Sequence, residues 1–187
     1  EYLNKMKFTL RVEVKNASAE KALIKILGKT DAIGGPYKLI NRGEVPTFSE
    51  MEVGIWALEA ERVAMKRPRI GLETDHKAIP NELQFLNNAV ALKKGCYPGQ
   101  ETVAKVFNLG QPPRRLVMLH LDGSDIELPK PGDKVLLNEN EIGFVGTVAR
   151  HYELGPIALA LVKRTTPVDA QLLVGGVAAS QQIIVEA

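Results

Sequence analysis

Two adjacent prolines, Pro112 and Pro113, divide this chain into two textures. Beyond them, short apolar runs follow one another closely: RRLVMLHL, DKVLL, EIGFVGTVAR, PIALALV and QQIIVEA, split by Asp-Gly, Pro-Gly, Asn and Gly turns. Such runs are too short for helices, and the turns between them fold each strand back on the last. Evenly spaced short strands close into a small antiparallel barrel or stack as a sandwich, and a C-terminal β-barrel is expected over residues 114–187. A Pro-Pro pair is stiff and donates no backbone hydrogen bond, so the domain boundary is placed there. Residues 1–110 then form an α/β region, which makes the fold class α+β.

Upstream, KFTLRVEV alternates, with Phe8, Leu10, Val12 and Val14 on one face and charged or polar residues on the other, the pattern of a half-buried strand. Ser18 suits a helix N-cap, and Ala22, Leu23, Ile26 and Leu27 supply an apolar face up to Gly28, so a β–α unit is expected to open the chain. A short strand is expected around Tyr37 to Ile40. Val53, Trp56, Ala57, Ala60, Val63 and Ala64 recur at helical spacing, predicting a helix from Ser49 to Lys66 that Pro68 ends. IPNELQFLNNAVAL reads as a short helix running into an apolar stretch. QETVAKVFNLG reads as a helix that starts after Gly99 and stops at Gly110.

The 187 residues accommodate one domain or two small ones, and a formal charge of +2 gives no global pull toward nucleic acid or membrane. No apolar run is long enough for a transmembrane helix. EYLNKMKFTLRVEV lacks the apolar core of a signal peptide and does not begin with Met, so the chain is expected to be the C-terminal part of a longer protein. One cysteine forms no internal disulfide, which points to a reducing, cytoplasmic setting.

That cysteine, Cys96, stands in LKKGCYPGQETVAKV. Lys93 and Lys94 bring positive charge, Tyr97-Pro98-Gly99-Gln100 invites a tight turn, and a helix start follows. Cations and a helix N-terminus both favour a thiolate, and the turn keeps the thiol out of a core position. The alternative is an inert buried thiol, a common fate of free cysteine. His76, His120 and His151 are the histidines that a Cys–His pair would need to recruit through space. Glu73, Asp75 and His76 lie close in sequence without the spacing of a metal site, so no metal is expected. One thiolate also cannot hold an iron–sulfur cluster by itself. Arg114-Arg115 with Lys163-Arg164 reads as a basic patch on the barrel or as a solvated strand edge.

The stretch KKGCYPGQETVAKVFNLG resembles the K-G-C-Y-x-G-Q-E signature of the YgfZ family of folate-binding proteins, relatives of the glycine cleavage T-protein (aminomethyltransferase). Lys94, Gly95, Cys96, Tyr97, Gly99, Gln100 and Glu101 match it position by position. RPRIGLETDHKAIPNEL and GFVGTVARHYELGPIALALVKR are similar to the same family. The resemblance implies a T-protein-like α/β region followed by a barrel, with the first module of the family fold missing. It also implies tetrahydrofolate as the cofactor, service to iron–sulfur enzymes or their assembly factors, a link to tRNA modification, and Cys96 as the working thiol.

The T-protein's L-R-x-E-A-G segment, whose Glu holds the pterin, matches ERVAMKRPR here: Arg62 takes the Arg position and Ala64 the Glu position. This departure argues against ordinary aminomethyl transfer, because a pterin amide and amino group want a carboxylate acceptor. Glu59 or Glu61 is the substitute acceptor. Arg62 and Trp56 are the candidate folate contacts, Trp56 by stacking, with a place in the core of its helix as the alternative. Arg67 and Arg69 would meet a folate's glutamate tail or lie in solvent. Three readings follow: a folate-dependent accessory of iron–sulfur enzymes, a glycine-cleavage-type aminomethyltransferase, and a non-catalytic module in which the motif is only a turn.

Overall fold

The computed structural model describes residues 1–24, 38–45, 54–124 and 127–185. They fall into two compact units, Glu1–Glu52 and Val53–Ala187. The boundary expected at Pro112-Pro113 lies inside the second unit, just ahead of a strand that begins at Arg114.

The first unit opens with a short helix, α1 (Tyr2–Met6), spanned by a Glu1–Lys5 ion pair. The expected strand over residues 7–14 does not form: Phe8, Leu10, Val12 and Val14 are all exposed and no ladder includes them. Alternation prepares a strand, but a strand is stable only when a neighbour takes its backbone hydrogen bonds. The helix expected after Ser18 is also replaced. Lys21–Ile24 forms strand β1, paired antiparallel with β2 (Lys38–Asn41), with Lys21 opposite Asn41 and Ile24 opposite Lys38. The short strand expected around Tyr37 to Ile40 therefore survives as β2, whereas Ile26, Leu27 and Gly28 lie outside the described residues. The Arg42 guanidinium donates to the Ser18 carbonyl at 2.8 and 3.1 Å and to the Lys21 carbonyl at 3.2 Å, tying the hairpin's two ends. No described residue of this unit is buried.

The second unit is built on a closed antiparallel barrel. Its strands are β3 (Arg114–Leu121), β4 (Lys134–Leu137), β5 (Asn140–His151), β6 (Gly155–Lys163), β7 (Leu172–Val174) and β8 (Val177–Ile183). Around the barrel they run β3-β6-β5-β4-β7-β8, and β8 returns to β3. Closure removes both sheet edges. Val117, Leu119, Val135, Val145, Ala158, Ala160 and Val162 fill the interior.

Alternate residues of the same strands face outward and form a second core with α2 (Ile55–Ala64). Ala60 and Val63 of α2 meet Leu116, Met118, Ile157, Leu159 and Leu161. This two-sided burial explains why the strand sequences are near-continuous apolar runs. The helix expected over Ser49 to Lys66 is shorter at its described end, and residues 49–53 lie outside the described set.

After α2 the chain makes a short 3-10 turn at Pro80–Glu82 and a single helical turn, α3 (Leu86–Ala89). It then enters α4 (Gln100–Leu109), bounded as expected by Gly99 and Gly110 with φ of +83° and +80°. Both angles are left-handed and favour glycine.

Candidate functional site

Cys96 lies on the loop between α3 and α4 and is exposed. The loop closes by a bond from the Gln100 N–H to the Tyr97 carbonyl at 3.2 Å, and Gly99 turns the chain into α4. The Lys94 ammonium sits 5.6 Å from the centre of the Tyr97 ring, a cation–π distance that ties two motif residues together beside the thiol. Glu101 stands in the first turn of α4. The inert buried thiol is therefore not what the motif builds. Of the histidines a Cys–His pair would need, His151 is committed elsewhere: its Nδ1 accepts the N–H groups of Glu153 and Leu154 at 3.2 Å, and its Nε2 lies 3.5 Å from Glu61.

Arg62 is buried and spends its donors inside the protein. It bonds Glu59 at 2.8 and 3.1 Å, the Arg67 carbonyl, the Thr147 hydroxyl, and Glu73 at 3.4 Å. Glu59 is further held by Arg69 at 3.3 Å. Glu73 is fully buried. Its carboxylate accepts the Arg69 N–H, the Thr147 N–H and the Thr147 hydroxyl, each at 2.6 Å. Thr147 sits in a β-bulge of β5, where the pairing with β6 slips between Val145 and Val148. The bulge takes the Thr147 N–H out of the ladder, and Glu73 satisfies it.

A second cluster lies at the start of β3. Arg114 makes paired bonds to Glu82, both at 2.9 Å, and to Asp75 at 2.8 and 3.1 Å. Glu82 is fully buried and also accepts the Ile79 N–H at 3.1 Å. The Arg114 guanidinium holds the Asp75 carboxyl down at about 2, and Asp75 in turn raises Arg114 above its ordinary value.

Sequence reasoning missed both clusters, because Glu73 read as part of an acidic loop and Glu82 as part of a short helix. The one local signal was Glu82, three residues after Ile79 at a Pro-initiated turn, the spacing of a carboxylate that reaches back to cap.

These contacts bear on the residues that the resemblance assigns to a folate. Glu59 and Arg62 do not fit, since their polar atoms satisfy one another and Thr147. Trp56 fits a stacking role: it is 80% exposed on the first turn of α2, which also corrects the core alternative. Glu61 is partly exposed and keeps an acceptor oxygen within reach of solvent. Lys66, at the Gly position of the L-R-x-E-A-G pattern, has a left-handed backbone with φ of +59°. The packing partners of α2 are β5 and β6 and that of α4 is the Pro80–Glu82 turn, so Trp56 and Cys96 are positioned by different parts of the unit.

A cleft of about 430 Å³ opens beside α4, lined by Asn81, Gln84, Val106, Phe107, Pro112 and Ile184 among others. Asn81 donates to the Val103 carbonyl at 3.4 Å, while its own buried carbonyl oxygen has no partner. Among the described residues no group of three or more His, Cys, Asp or Glu side chains is placed to hold a metal, and no helix is long and apolar enough to cross a membrane.

The barrel and its flanking helix form a T-protein-like fold. The glycine cleavage system aminomethyltransferase T from Bartonella henselae superposes on 70% of this chain with a TM-score of 0.57 and 18% identity, over 37% of its own length. In sequence, the chain is 31% identical over 114 residues to the tRNA-modifying protein YgfZ of Colwellia psychrerythraea, covering 58% of this chain and 32% of that protein. It is 30% identical over 99 residues to an uncharacterized protein of Haemophilus influenzae, 48% of this chain and 35% of that protein. No family model matches. The fold is thus YgfZ- and T-protein-like, and the chain spans about a third of the length of the curated relatives it matches.

Proposed function

We propose that this chain is part of a tetrahydrofolate-binding protein that serves iron–sulfur cluster assembly or repair, in a setting linked to tRNA modification, with Cys96 as its working thiol. The observation that carries the reading is the presentation of Cys96, exposed on a turn that Gly99 closes directly before α4. A residue kept only for packing would not be held at the surface by a left-handed glycine and a helix start. The likeness to the tRNA-modifying protein YgfZ supports the tRNA component, and the motif resemblance carries the folate component. Trp56 supplies a stacking face and Glu61 an acceptor for a pterin. The single cysteine of this chain cannot by itself hold a cluster, so in this reading clusters or their assembly are what the thiol acts on.

The test is alkylation of Cys96 by iodoacetamide across pH, with and without tetrahydrofolate. Fast labelling that folate slows supports the reading. Labelling indifferent to folate, together with full function of Cys96→Ser in restoring iron–sulfur enzyme activity to cells lacking the protein, would leave the motif as a structural turn.

A further inference from the structure

The basic residues at the joint of β3 and β6 divide into two kinds. Arg114 is neutralised by Asp75 and Glu82, and the Lys163 ammonium donates to the Glu141 carbonyl at 3.1 Å. Arg115 and Arg164 form no ion pair with any described residue. The two are held close: the Arg164 N–H donates to the Pro113 carbonyl at 3.0 Å, and Arg115 pairs with Val162 across the ladder.

Arg115 is 7% exposed. It shares the inward face of β3 with Val117 and Leu119, and its Nη2 donates to the Thr166 carbonyl at 2.6 Å. Its Nε has no partner, and neither does the hydroxyl of Thr166, which is 4% exposed. Gln181 bonds the next carbonyl of the same loop, that of Pro167, at 2.7 Å, and its buried carbonyl oxygen is also unpartnered. Three of the four buried side-chain atoms without partners in the described protein thus converge on one loop. A buried guanidinium with a second arginine near it and no carboxylate paired to it is costly unless an anion completes it. Burial and then the Arg164 charge pull the Arg115 guanidinium below its ordinary value.

We propose that Arg115, Arg164 and Thr166 form a binding site for a single oxyanion, a phosphate or carboxylate group, at this end of the barrel. The Arg115 Nε and the Arg164 guanidinium donate to its oxygens, as does the Thr166 hydroxyl. The Gln181 carbonyl oxygen accepts from a protonated oxygen or a bound water on the same group. Enclosure of Arg115 under the 164–170 loop favours one small group over the repeated phosphates of a nucleic-acid backbone.

The test follows the Nε–Hε signal of Arg115 by ¹⁵N–¹H NMR in the intact chain, assigned by its loss in Arg115→Lys. Inorganic phosphate and acetate are titrated separately against chloride at matched ionic strength. The proposal expects a saturable shift with at least one of them. Phosphate alone identifies a phosphoryl group, and an equal response to acetate identifies a carboxylate. Arg164→Gln, a change at a partly exposed residue that leaves the fold intact, weakens binding about tenfold, the loss of one charged contact. A signal that ignores both anions, or an affinity unchanged in Arg164→Gln, overturns the proposal.

Discussion

Gly146 and Glu73 offer a direct test of how the helical segment is locked to the barrel. Gly146 lies in the β5 bulge, and its φ is not left-handed, so its backbone would accept alanine. What excludes a side chain is Glu73: a Cβ on residue 146 would stand 2.6 Å from its Oε1, 2.8 Å from its Cγ and 2.9 Å from its Cδ. The carboxylate cannot swing away without releasing the Thr147 N–H and hydroxyl and the Arg69 N–H. Gly146→Ala should therefore cost about 3 kcal/mol, the sum of an overpacking term and at least one buried bond. Glu73→Ala alone should cost about 3 kcal/mol, because it leaves the buried Thr147 N–H and the part-buried Arg69 N–H without their acceptor and takes away the weaker of Arg62's two carboxylates. In the Glu73→Ala background the obstacle is gone, and Gly146→Ala should cost less than about 1 kcal/mol, leaving a coupling of about 2 kcal/mol. Urea unfolding followed by far-ultraviolet circular dichroism measures all four proteins. A common osmolyte keeps the weakest folded, since a domain has only about 5–15 kcal/mol to lose. Additive costs, with coupling under about 0.5 kcal/mol, would refute the lock.

Three further outcomes are expected. The Asp75 carboxyl is depressed in the folded state, from 3.8 to about 2, so its contribution is complete above about pH 4 and is lost as pH falls toward 2. The urea midpoint should drop less across that window in Asp75→Asn, and parallel curves for the two proteins would count against the Arg114 contact. The two-residue turn between β4 and β5 holds Asn138 and Glu139 at φ of +48° and +68°, and Glu139→Gly should raise stability by about 1 kcal/mol, read as a higher Tm. Cys96→Ser, at an exposed position, should change stability by less than about 0.5 kcal/mol, so any loss of function in that variant reports chemistry and not unfolding.

The sequence by itself determined β3 to β6 and α4, whereas β7 (Leu172–Val174) was not among the expected runs and the last strand lies at Val177–Ile183, ahead of most of QQIIVEA. Runs such as RRLVMLHL and PIALALV are apolar on both faces because one face fills the barrel and the other packs under α2, so no alternative burial competes. α4 was legible from Gly99 and Gly110 because a left-handed φ is a local property that one residue type satisfies cheaply. The exposure of Cys96 was legible for the same reason: Gly95, Pro98 and Gly99 exclude it from a helix or strand interior. Only the tertiary structure decided the rest. KFTLRVEV has a strand's alternation but no partner among the described residues to accept its backbone bonds, and a partner is never encoded in the segment itself. Whether Arg62 faces a ligand or Glu73 was likewise undecidable from ERVAMKRPR, because the answer rests on a bulge in β5, with Thr147, 85 residues away, accepting from Arg62. Arg114 and Arg115 read alike as neighbours, yet strand alternation turns one toward Asp75 and Glu82 and buries the other without a counter-charge.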